Sequence, residues 1–135
     1  MNDAIKKQLN DLNERVESMD KVLIIAPNDF LADTIISIVK SLSKKHYGIY
    51  VSINKPHITV DKILRDNGIK TETIYFVDCI TATVHKMIEK DKTERVLFAS
   101  HPSDIRKGGT IPKSIDTFIK AIPDEKFILV DALRT

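Results

Sequence analysis

The chain has one cysteine, no tryptophan and four glycines in 135 residues. The lone Cys79 excludes an intrachain disulfide, and no Cys/His set stands at metal-ligand spacing, which excludes a thiolate zinc site. Set in an apolar run, Cys79 reads as a small buried hydrophobe. No stretch reaches the ~18 apolar residues of a spanning helix, and the N-terminus has no signal-type apolar core. A cytoplasmic protein without membrane association is therefore expected. The net charge is only +2. Non-specific nucleic-acid binding needs a concentrated basic face rather than a slight excess, so nucleic acid is not expected as a partner. The scarce glycines stand at 48, 68, 108 and 109. None follows the first apolar run, where a phosphate-binding loop would need them.

What is present is a globular composition, 42% hydrophobic and 30% charged, sufficient for one core. The first apolar run, Val22-Leu23-Ile24-Ile25-Ala26, has no polar alternation and stops at Pro27-Asn28-Asp29. Such a run fits a strand buried on both faces of a parallel sheet. Further strands are predicted over 49–53, 73–77, 95–99 and 126–130. Helices are predicted over 31–44, with Asp29 as N-cap, and over 59–66, with Asn67-Gly68 as C-cap. Two more are predicted over 81–90 and over 113–121, with Pro112 near the first turn of the latter. Gly48 reads as the break before the second strand. Strand and helix alternate throughout, which implies right-handed βαβ units. The expected fold is α/β, three αβα layers around a mostly parallel five-stranded sheet.

Residues 1–20 form a separate N-terminal unit in this reading, and 21–135 the α/β domain. Ile5, Leu9, Leu12, Val16 and Met19 recur at intervals of 4, 3, 4 and 3, a heptad seam on an amphipathic helix. The seam either packs on the domain or serves as a dimerisation arm.

Four phrases, GIYVSINKP (48–56), IYFVDCIT (74–81), LFASHPSDI (97–105) and FILVDALRT (127–135), occur in an order that resembles uncharacterised archaeal domains of the RecA/KaiC ATPase type. The resemblance covers about residues 21–135. It implies a P-loop-type fold in which a glycine-rich loop follows the first strand. Here 26–34 reads APNDFLADT, without glycine or lysine, and Asp29 and Asp33 would repel phosphate. A glutamate pair after the second strand is also implied; Asn54-Lys55 stands there. FILVDAL keeps the pattern of four apolar residues and an acid, which places Asp131 where the family's Mg²⁺-associated aspartate sits. Losing both the phosphate cradle and the base leaves little phosphoryl-transfer rate, because that chemistry is mostly positioning and electrostatics. The resemblance thus implies a non-hydrolysing regulatory or protein-interaction domain without a cofactor, working through a protein partner or as a homodimer. The alternative is residual ATP or ADP binding with Mg²⁺ and weak hydrolase activity.

A parallel sheet would gather Asn28, Asp29, Asn54, Lys55, Asp78, Ser100, His101 and Asp131 at its carboxyl edge. The acids with His101 are types that hold Mg²⁺, or Zn²⁺ or Mn²⁺ for hydrolysis, with Asp131 the first metal candidate. The competing reading has the aspartates capping helices and bonding loop amides. A divergent receiver-like signalling domain is a rival. It would use Asp78 as phosphoacceptor, with Asn28-Asp29 and Ser100 near it, but has Asp131 where a lysine belongs. The Arg106-Lys107-Gly108-Gly109-Thr110 loop reads as a simple loop ahead of its helix rather than an anion site at the helix N-terminus, and His46, His57 and His85 read as solvated.

Overall fold

In a computed structural model of the chain, the described residues are 3–18, 28–81, 95–99 and 110–131. They form α1 (Asp3–Ser18), α2 (Asn28–Ser43), β1 (Tyr47–Ser52), α3 (His57–Asp66), β2 (Ile74–Asp78), β3 (Val96–Phe98), α4 (Thr110–Ala121) and β4 (Lys126–Asp131). The four strands make one sheet in the order β3-β2-β1-β4, with every pairing parallel. The strand expected at 22–26 and most of the helix expected at 81–90 lie outside the described residues.

The central position of β1 follows from its sequence. Ile49, Tyr50, Val51 and Ser52 are all buried, and a strand covered on both faces has no solvent side to mark by polar alternation. Successive side chains point to opposite faces. Tyr50 joins Val39 of α2 and Val60 and Leu64 of α3 in one apolar cluster. Ile49 and Val51 join Phe118 of α4 and Ile122 in another. The result is three layers: α2 and α3, the sheet, then α4. The faces follow from the handedness of parallel crossovers. The step from β1 to β2 runs one way along the sheet with α3 on one face. The return from β3 to β4 runs the other way and places α4 on the opposite face.

Gly48 corrects the expected boundary, since it lies inside β1 rather than ahead of it. A Cβ built on Gly48 would collide with the ring of Phe127 on the paired strand, so the glycine lets an aromatic ring cross the backbone. Helix α2 begins at Asn28, which puts Asp29 inside the first turn rather than at the N-cap. Helix α3 starts two residues earlier than expected, at His57, behind Pro56. It ends on Asn67, with Gly68 at φ 81°. Helix α1 packs on α2: Leu9 is buried within the single chain, and Asn13 Nδ2 donates to Ser37 Oγ at 3.1 Å. No helix among the described residues is long and apolar enough to cross a membrane.

Candidate functional site at the carboxyl edge

Strand register sets the site. Asp78 pairs with Ser52, Ser52 with Asp131, and Asp78 with Phe98, so one row reads Phe98–Asp78–Ser52–Asp131. Ser52 lies two residues after Tyr50 and therefore points to the same face, toward α2 and α3. With strands about 4.8 Å apart, the backbones of Asp78 and Asp131 stand roughly 10 Å from each other.

Asp78 is fully buried, and its carboxylate is surrounded by donors. Oδ2 accepts from the His57 backbone N–H at 2.9 Å and lies 2.7 Å from His57 Nδ1. Oδ1 accepts from the backbone N–H groups of Ile80 and Thr81, each at 2.9 Å. The Thr81 hydroxyl also donates to Oδ2. Burial by itself pushes the Asp78 pKa up, but the donors of His57 and Thr81 outweigh it and hold the group well below the usual carboxylate range. The neighbouring Cys79 is raised to about 12, first by burial and then by the charge of Asp78. Its thiol stays protonated and unreactive.

At the other end of the row Tyr50 donates its hydroxyl to Asp131 Oδ2 at 2.7 Å. Tyr50 is raised above the ordinary phenol range by burial, then by the charge of Asp131 and the hydrogen bond to it. Between the two acids, Ser52 Oγ donates to the backbone carbonyl of Lys55 and closes the turn after β1. Asn54 and Lys55 lie in that turn, with Lys55 exposed. Asn28 and Asp29 open α2. Ser100 and His101 lie outside the described residues, as does His85. Among the described residues no three His, Cys, Asp or Glu side chains come together in a group able to hold a metal ion.

The residue missed by sequence reasoning is His57, which is not solvated. Its side chain is 15% exposed, against 0% for Asp78. Its ring packs edge-on against Phe98 at 5.5 Å and lies tilted against Phe76 at 6.2 Å. Asp78 fixes the tautomer: Nδ1 carries the proton toward the carboxylate, and Nε2 is the remaining ring nitrogen. His57 precedes Asp78 by 21 positions, so the pair belongs to no local spacing motif. A histidine at the first position of the helix after β1 was the one available signal. His46 also has a charged neighbour, Glu125 Oε2 at 3.6 Å from Nδ1.

Comparisons with protein-family models, curated proteins and solved structures found no match.

Proposed function

We propose that the chain is a RecA/KaiC-like domain that does not hydrolyse nucleotide and acts as a regulatory or protein-interaction module. The observation that carries this reading is the engagement of both edge acids by the chain's own donors. Asp131, the acid a Mg²⁺-nucleotide would require, accepts from Tyr50. Asp78 is enclosed by His57, Ile80 and Thr81. Phosphoryl transfer depends on pre-placed cations and a phosphate cradle, and 26–34 has no glycine for such a cradle. The same enclosure argues against a receiver-like role, because a phosphoacceptor aspartate must reach its donor and Asp78 has no exposed surface. A protein-contact role is further supported by β4, the last strand of the described sheet. Ile128 and Val130 there remain 45% and 52% exposed.

Calorimetric titration with Mg²⁺-ATP and Mg²⁺-ADP, run in parallel on Asp131→Ala, tests the proposal. We expect no heat of binding from either protein. Saturable binding lost in Asp131→Ala would replace the proposal with a nucleotide sensor built on Asp131.

A further inference from the structure

Among the described residues β4 pairs with β1 on one side only. Exposed sheet edges are ordinarily blunted by a charge, a proline or a bulge within the strand. Phe127-Ile128-Leu129-Val130 contains neither charge nor proline, and its register with β1 runs without a bulge. An apolar run of this kind suits an interior strand, as it does in β1. The free backbone groups follow from the pairing with β1. The Asp131 carbonyl accepts from the Ile53 N–H at 3.3 Å. Backbone groups of successive residues point to opposite sides of a strand. Leu129 therefore also bonds toward β1, while the N–H and C=O groups of Ile128 and Val130 point away from it. These two residues carry the exposed apolar side chains of the strand. They pair with Ile49 and Val51, so they lie on the α4 face of the sheet, where Ile119 is exposed as well.

We propose that this edge pairs with β4 of a second copy of the chain, antiparallel about a two-fold axis at Leu129. That register sets Ile128 opposite Val130 of the second copy, and Val130 opposite its Ile128. Both members of each pair point their backbone groups into the junction, so each pair exchanges N–H to C=O bonds in both directions. Directly opposed residues also share a face, which brings the β-branched side chains into contact across the junction. The second copy is the occupant because β4 itself supplies what its edge requires: an extended apolar segment whose outward groups match. Such self-complementarity is the condition for an isologous interface. The two sheets then continue as one. The proposal rests on the reading of the chain as a protein-contact module and names the partner as a second copy. It does not use the α1 seam, whose Leu9 is already buried within one chain.

Sedimentation equilibrium of the full chain over a range of concentrations reads the mass, and hydrogen exchange followed by NMR reads the edge. The wild type should approach twice the 15.3 kDa of one chain as concentration rises. The Ile128 and Val130 amides should become protected in step with the mass. Val130→Lys places a charge in each half of the junction and should raise the dissociation constant about a hundredfold or more. Val130 is half exposed, so its replacement leaves the fold intact, with circular dichroism as the check. Ile58→Lys, at an exposed position on α3, should leave the mass unchanged. The proposal is overturned by a wild type that keeps the mass of one chain at every concentration. Protected Ile128 and Val130 amides in that monomer would assign the edge to another segment of the same chain. It is also overturned by a dimer that Val130→Lys leaves intact, which would move the contact elsewhere and retain the protein-contact reading. Nucleotide binding lost in Asp131→Ala would replace that reading, whereas mass and exchange report on the β4 junction alone.

Discussion

At the scale of single residues, Asp78 is the most consequential side chain in the described structure. Five donors converge on it: the backbone N–H groups of His57, Ile80 and Thr81, the His57 ring and the Thr81 hydroxyl. Removing the acceptor leaves these groups buried and unpartnered, at about 1–3 kcal/mol for each that water does not reach. Asp78→Ala is therefore expected to lower stability by roughly 3 kcal/mol or more in urea unfolding. Asp78→Asn should lose less, since it keeps one acceptor oxygen. The depressed pKa also fixes the direction of the pH dependence. The folded protein binds the Asp78 proton more weakly than the unfolded chain does. The carboxylate thus contributes its full stability above the ordinary value of 3.8 and loses it as pH falls from there toward the folded value. The acid limb of the wild-type stability profile should be steeper than that of Asp78→Asn. Tyr50 behaves in the opposite sense. Its pKa is raised, so its contribution is complete below the ordinary value of 10.0 and declines as pH rises above it. Tyr50→Phe is expected to lower stability by about 2 kcal/mol at neutral pH, the typical value of a hydrogen bond to a charged group, and to flatten the alkaline limb.

At the scale of elements, the run of apolar residues in β1 and the Asn67-Gly68 stop of α3 were legible because each depends on local chemistry. Boundaries were not legible where a distant residue decided them. Gly48 reads locally as a strand breaker, yet it pairs with Ile74 on one side and Phe127 on the other, and the Phe127 ring occupies the space a Cβ would need. Gly48→Ala should therefore cost more than its backbone propensity, about 1–3 kcal/mol from overpacking. Phe127→Leu combined with it should recover part of that loss, a coupling visible in a double-mutant cycle. Helix α1 shows a related limit. The heptad seam is plain in the sequence, but a seam does not name the surface that covers it. Leu9 packs within the chain, on the side of α1 that meets α2. Leu9→Ala is expected to cost about 2–3 kcal/mol, as a buried leucine truncation does. If the seam instead joins two chains, the same substitution will lower the solution mass toward the 15.3 kDa of one chain in sedimentation, with the unfolding midpoint almost unchanged.

At the scale of the whole molecule, alternation of apolar runs with amphipathic segments determined the α/β class and the parallel sense of the strands, because a chain that buries strands on both faces needs helices as crossovers. The spacing of acids at strand ends likewise placed Asp78 and Asp131 on one edge. Tertiary structure decided what those acids do. Strand order put one on each side of Ser52. The facing residues then supplied the donors, Tyr50 to Asp131 across a sheet pairing and His57 to Asp78 from the start of the next helix. A sequence records which residues are acidic and how they alternate with their neighbours. Whether a carboxylate meets a donor or remains available to a ligand depends on contacts between residues 21 and 81 positions apart, and only the folded packing of strands and helices brings those together.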